Sequence, residues 1–189
     1  TGIGTDNIDI VINELDALVN INFDTRTVNE YKRSLNFIRL GTSGGLQKDI
    51  EVDTFMTSSY GLGFDNLAHF YSEAGVIESE ISKEYAKHAK WPKELSTPYI
   101  VKASESLFSL FTDLSSGITA TAPGFYGPQG RSLRLRPSIT ELHEKMESFN
   151  FNNNQVKNFE METSALYYLG QTLGHKTLTI CAIIGNRLN

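Results

Sequence analysis

Apolar residues recur at helical spacing from the start of the chain. Ile8, Val11, Ile12, Leu15, Leu18 and Val19 fall on one helical stripe, and Thr5 or Asp6 is placed to cap it. A polar connection over 20–34 follows. Leu35–Leu40 has the apolar content of a strand, and Gly41-Thr42-Ser43-Gly44-Gly45 reads as a turn that breaks it. Val52–Tyr60 is a second strand, followed by a loop over 61–75 rich in glycine and aromatic residues. Ile77–Lys90 is mostly polar and reads as a surface segment, whereas Pro98–Leu114 carries enough spaced apolar residues to be a helix. Ile118–Ala122 predicts a short strand. Ser138, with Glu141 in capping-box position, predicts a helix over 139–149. Asn150–Asn154 reads as a polar loop. Glu160–Leu173 predicts a helix stopped by Gly174, and His175–Ile184 predicts a core strand. Strands alternating with helices imply an α/β domain with helices on both faces of a sheet.

The 189 residues suffice for one sizeable core and are read as a single domain, 1–189. Thr1 stands where a mid-fold segment is expected, and the last residues run off an apolar strand. The expectation is therefore a domain lacking N- and C-terminal parts. With 17 Lys+Arg against 22 Asp+Glu the net charge is −5, and no basic run appears, so nucleic acid is not an expected partner. No apolar stretch has the length of a membrane span. Cys181 is the only cysteine, which rules out an internal disulfide and fits a reducing, cytoplasmic setting; its apolar surroundings predict an inert buried thiol. His69, His88, His143 and His175 show no metal-ligand spacing, so no metal site is expected.

Three segments carry candidate chemistry. Asn158-Phe159-Glu160-Met161-Glu162 places two carboxylates around a methionine at a strand-to-helix junction. If the helix opens at Met161, Glu162 lies in its first turn, where free N–H groups and the helix dipole favour an anion. Such a carboxylate accepts two neighbouring hydroxyls, and Met161 offers soft surface for a sugar ring. The plain alternative is a helix that starts with acids because acids stabilise helix N-termini. In Arg39-Leu40-Gly41-Thr42-Ser43-Gly44-Gly45 an arginine precedes glycines and two hydroxyls, a set that suits phosphate. The alternative is a common glycine turn beside a surface arginine. In Phe125-Tyr126-Gly127-Pro128-Gln129-Gly130-Arg131 an aromatic ring, an amide and a guanidinium share one loop and suit a flat polar heterocycle. The alternative is a Pro-Gly turn with solvated side chains.

In this order, together with Thr1-Gly2-Ile3-Gly4 and Asn186-Arg187, these segments resemble the nucleoside phosphorylase family, most closely its uridine phosphorylase branch. The resemblance spans the chain. It implies a three-layer α/β/α sandwich around a mixed, partly barrel-like central sheet. It implies that Arg39 and Thr42, with Ser43 beside them, bind the phosphate nucleophile. Gln129 and Arg131 would read the uracil edge, and Phe125 would pack on the base. Met161 and Glu162 would hold the ribose with Glu160 close by, and Arg187 would lie near the base end. Arg39, Arg131 and Glu162 are the expected catalytic residues. No cofactor is expected beyond inorganic phosphate as co-substrate. The expected assembly is a homo-oligomer, a dimer or a trimer of dimers. Three departures stand out. The family's upstream phosphate-binding glycine and arginine, the histidine and arginine lent by a neighbouring subunit, and the C-terminal helix have no counterpart in this sequence. Ile77 to Pro98 matches no functional motif of the family.

The implied reaction is reversible phosphorolysis of uridine to uracil and ribose 1-phosphate. A purine-specific relative normally carries an aspartate near the end of the last strand, where this chain reads Ile184-Gly185-Asn186-Arg187. The alternatives are a nucleosidase that uses water, a purine-specific phosphorylase, and a non-catalytic nucleoside-binding protein on the same scaffold. A nucleosidase has no need for Arg39.

Overall fold

A computed structural model of the chain describes residues 2–72 and 75–188. Helix α1 (Thr5–Asn20) leads into the short hairpin β1 (Ile21–Asn22) and β2 (Thr27–Val28), which occupies the expected polar connection. Strands β3 (Asn36–Gly45) and β4 (Phe55–Gly63), helix α2 (Ser79–His88) and strand β5 (Tyr99–Lys102) follow. Then come α3 (Glu105–Phe108), β6 (Ser115–Thr121), α4 (Leu142–Glu147), β7 (Asn150–Phe151), β8 (Asn154–Glu160), α5 (Thr163–Thr172) and β9 (Lys176–Asn186).

Seven strands form one sheet in the order β3-β9-β4-β6-β8-β7, with β5 on β4. A further pairing of β3 with β8 closes five of them into a mixed barrel. The expected α/β fold with a partly barrel-like sheet is what the chain adopts. Apolar side chains collect on two sides of the sheet, as the period of two along each strand dictates. Tyr99 and Val101 of β5 join α1, α3 and α5 in one cluster, while Ile100 joins α2, α4 and Phe159 in the other. Every residue of α5 from Thr163 to Gly170 is buried, as suits a helix enclosed between sheet and α1.

Several local expectations are corrected. The Gly41–Gly45 segment is the end of β3, not a turn. Gly44 and Gly45 pair with Phe159 and Asn158 to close the barrel, and a Cβ on Gly44 would stand 3.0 Å from the Phe159 ring. Glycine is needed there for close approach, which leaves the same sequence signature as a turn. Pro98–Leu114 is not a helix. Its apolar triplet Tyr99-Ile100-Val101, buried on both faces, forms β5, and helix begins only after Ser104. The polar Ile77–Lys90 segment holds a helix after all, because Ile81 and Tyr85, one turn apart, are buried. Gly4 stands at the start of α1 in place of Thr5 or Asp6, and Ser138 does not cap α4, which starts four residues later. Asn152 and Asn153, both with positive φ, turn the Asn150–Asn154 segment into a two-residue hairpin between β7 and β8. Gly174, at φ 85°, follows α5 as expected, and the His175 N–H returns to the Gly170 carbonyl at 2.7 Å.

Candidate active site

One cavity of about 670 Å³ opens where β3, β8 and β9 reach the barrel rim. Arg39, Thr42, Ser43, Phe125, Gln129, Arg131, Glu160, Met161, Glu162 and Arg187 all line it. These residues come from four segments that are distant in sequence, and the barrel's closure brings them together.

Its first polar cluster is built on Arg39. The guanidinium folds back over Gly41, two residues along the same strand face, where a side chain would collide with it. Nη1 lies 3.1 Å from Glu160 Oε2 and 3.6 Å from Cys181 Sγ, and Nη2 pairs with Glu162 Oε2. Burial alone would lower the Arg39 pKa, but the carboxylate of Glu160, the sulfur of Cys181 and the carboxylate of Glu162 outweigh it and hold the group charged. Burial raises the Glu160 pKa, opposed by Arg39 and reinforced by Glu162. Burial also pushes the Cys181 thiol up to about 11, in keeping with an inert thiol.

The two glutamates have different tasks. Helix α5 opens at Thr163, so Glu162 stands at its cap and not inside its first turn, yet the Glu162 side chain makes no capping bond. Glu160 does that work from two residues before. Its carboxylate accepts the N–H groups of Glu162 at 3.0 Å and Thr163 at 3.1 Å, and the Thr121 hydroxyl at 2.8 Å. With Arg39 added, Glu160 is saturated. Among the described residues Glu162 accepts only the Gly4 N–H at 2.8 Å and Arg39, so with respect to them it retains lone pairs toward the cavity. Ser43 lines the cavity, but its hydroxyl accepts from Asn158 Nδ2 at 2.7 Å inside the barrel. Thr42 is exposed at the wall.

The second cluster is the 125–131 loop with the end of β9. Gln129, 3% exposed, accepts from Arg131 Nη1 through its side-chain oxygen, which leaves its NH₂ to serve as donor. Arg131 also donates to the Phe125 carbonyl at 2.8 Å, and its guanidinium lies 3.9 Å above the Phe125 ring. Arg187 sits 5.2 Å from the Phe159 ring centre, and Arg131 sits 5.4 Å from it. Burial lowers the pKa of both arginines.

The fold fits the comparisons with known proteins. Residues 1–189 match the profile of the phosphorylase superfamily. The chain belongs to the phosphorylase superfamily. It is 29% identical over 188 residues to a uridine phosphorylase of Thermococcus kodakarensis, covering 100% of this chain and 57% of that protein. It is 26% identical over 151 residues to a uridine phosphorylase of Treponema pallidum, covering 80% of this chain and 51% of that protein. The chain thus spans about half the length of the curated relatives it matches. A crystal structure of a Trypanosoma brucei nucleoside phosphorylase, described as showing uridine phosphorylase activity, aligns at TM-score 0.83 and 26% identity. That alignment covers 100% of this chain and 70% of the other.

Within this superfamily member, several wall residues had no role assigned from sequence. Gly2, Ile3, Ile8, Leu40, Phe159, Ile184 and Gly185 also line the cavity. Thr1 of the opening motif lies outside the described residues. Phe159 sits inside a motif whose acids draw the eye, and only barrel closure shows its ring under two arginines. Asn186 lines the cavity but spends its amide on the carbonyls of Gln47 and Ile50, at 2.8 and 2.7 Å. Asp65 and His69 stand apart from the cavity. Asp65 accepts from Tyr99 and Ser164, and His69 bonds the Thr97 carbonyl. Trp91 stacks on Phe64 at 4.9 Å, a packing role. Among the described residues no helix is long and apolar enough to cross a membrane, and no three metal-binding side chains gather.

Proposed function

We propose that the protein cleaves uridine with inorganic phosphate, yielding uracil and ribose 1-phosphate. The observation that carries this reading is the pairing of two clusters in one cavity. Arg39 with Glu162 and Met161 suits phosphate and a ribose diol, and Gln129 with Arg131, Phe125 and Arg187 suits a planar base with carbonyl edges. The uridine phosphorylase names of two relatives, and the described activity of the structural neighbour, support it.

In the proposed reaction the C1′–N1 bond breaks and its electron pair leaves with uracil. A phosphate oxygen attacks C1′ from the other face, and the proton that phosphate gives up on becoming the ester reaches uracil by way of water. No covalent enzyme nucleophile is required; alignment and charge stabilisation suffice. Arg131 faces the carbonyl on which the departing base gathers charge. Glu162 holds the ribose hydroxyls and stabilises positive charge on the sugar. Arg39 turns from its carboxylates toward phosphate and holds it in line. No cofactor is needed beyond phosphate.

Base choice tests the reading. Cytosine presents an amino group where uracil presents O4, so Arg131 would face a donor and lose its partner. A mismatch of that kind, buried, rejects an analogue strongly. The expected result is phosphate-dependent release of uracil from uridine, none from cytidine and poor turnover of inosine, read as kcat/KM at saturating phosphate. Release without phosphate would mean a nucleosidase, and inosine matching uridine would remove the pyrimidine assignment.

A further inference from the structure

His143 belongs to none of the recognised motifs, yet it is tied to two residues of the cavity wall. It is half-buried in the first turn of α4. Its Nε2 lies 2.8 Å from the Gln129 carbonyl oxygen. Arg187 Nη1 lies 3.1 Å from its Nδ1 and 2.9 Å from its Nε2. A carbonyl only accepts and a guanidinium only donates. A proton on Nε2 satisfies the Gln129 carbonyl, while Arg187 Nη1, almost equidistant from the two ring nitrogens, rests against the ring itself, a contact that suits a neutral ring and that a charged one would repel. The ring is confined on its other sides. Phe159 lies at 5.7 Å between ring centres, and a Cβ on Gly130 would stand 2.8 Å from its Cε1.

We propose that His143 is a positioning residue for nucleobase recognition, a bridge between the Gln129 backbone and the Arg187 guanidinium that sets the spacing of the groups facing the base. The inference rests on the reading of Gln129, Arg131 and Arg187 as the base end of the cavity. His143 need not touch the substrate. It acts by holding a backbone on one side and a cation on the other.

The electrostatic setting favours the neutral ring that the bridge needs. Burial lowers the His143 pKa first, then Arg187 from the end of β9; Arg131 from the 125–131 loop acts the same way. The Gln129 carbonyl and Glu144, on α4 itself, oppose them. Once protonated, the ring sets a positive charge against the Arg187 guanidinium and the bridge opens.

The test uses the full-length protein, with steady-state uridine phosphorolysis and calorimetric uridine binding for wild type, His143→Phe and His143→Gln. At about pH 7.5 the Phe variant, which keeps the ring but no hydrogen bond, raises the uridine KM about tenfold, the scale of one hydrogen bond to a charged group. Its phosphate KM stays within about twofold of wild type. The Gln variant, with one donor and one acceptor, recovers most of the loss. The wild-type uridine KM rises as pH falls below about 6.5, and the Gln variant, with nothing to titrate there, lacks that rise. An unchanged uridine KM in the Phe variant overturns the proposal, and so does an equal rise in both substrates' KM. If the Phe variant does not fold, a Gln variant that keeps the wild-type acid rise overturns it equally. Wild type that neither binds nor cleaves uridine overturns the reading of the cavity, and the proposal with it. Wild-type activity combined with an indifferent Phe variant overturns the proposal alone.

Discussion

Replacing Arg39 by Met removes the cation that two buried carboxylates share. Glu160 lies 3.1 Å from Arg39 Nη1, Glu162 pairs with Nη2, and the two acids are 4% and 7% exposed. Removing one partner of a buried ion pair costs about 3–5 kcal/mol, because the remaining charge is stranded. For a chain of this size that corresponds to a fall in Tm of roughly 6–20 °C. The loss has a definite pH signature. Burial holds the Glu160 pKa above its ordinary 4.5, with Arg39 working against the rise. A carboxyl raised in the folded state contributes stability that is present at low pH and lost as pH climbs through its folded pKa. Without Arg39 that pKa climbs further, so the loss deepens toward neutrality. The deficit of Arg39→Met against wild type is therefore largest at about pH 7.5 and shrinks toward about pH 4.5, where Glu160 is protonated. Thermal unfolding of the full-length proteins at both pH values measures it, and Glu160→Gln in the Arg39→Met background should recover part of the neutral-pH loss. A deficit below about 1 kcal/mol at pH 7.5, or one independent of pH, would refute the argument that Arg39 neutralises a buried acid. In turnover assays the same variant should raise the phosphate KM, and an unchanged value would remove Arg39 from the phosphate site.

Two further outcomes are expected. Glu162→Gln should reduce turnover of uridine about ten- to a hundredfold more than that of deoxyuridine, the scale of one hydrogen bond to a charged group; equal losses would show that Glu162 does not read the 2′ hydroxyl. Gly130→Ala places a side chain at φ 65° and pushes a Cβ to 2.8 Å from His143. It should cost about 1–2 kcal/mol in thermal unfolding and raise the uridine KM more than the phosphate KM, whereas an unaltered uridine KM would uncouple this loop from the base.

The elements that were legible in sequence are those whose pattern has a single physical cause. The spacing of Ile8, Val11, Ile12, Leu15, Leu18 and Val19 has the 3.6-residue period of a helix, and α1 forms there, burying Ile8 and Ile12 while Leu15 and Leu18 stay exposed. The apolar run ahead of Asn186 forms β9, paired on both sides, by β3 and β4. Misreadings arose where one residue type serves two ends. Glycines at 41, 44 and 45 signal a turn as readily as a close approach, and only the β3–β8 pairing decides between them. Tyr99-Ile100-Val101 suits helix or strand until burial on both faces is known. The motifs placed all ten candidate residues on one cavity wall, because each motif sits at a strand end or in a loop that the barrel rim gathers.

The division of labour among those residues was beyond reach of spacing. Glu160 and Glu162 differ by two positions and look equivalent as letters. β8 ends at Glu160 and α5 opens at Thr163, so Glu160 faces the free N–H groups of α5 while Glu162 faces Gly4 and the cavity. A saturated carboxylate and one with free lone pairs perform different chemistry, and that difference is set by where α5 begins, one residue beyond Glu162. His143 is the stronger case. A lone histidine in a short polar helix carries no spacing signal, and its partners lie 14 and 44 residues away. Its link to Gln129 and Arg187 exists only because α4 packs beneath the same rim that collects the motifs. Residues that line the cavity could thus be named in advance from their motifs, whereas those that hold them in place answer to packing and emerge only with the fold.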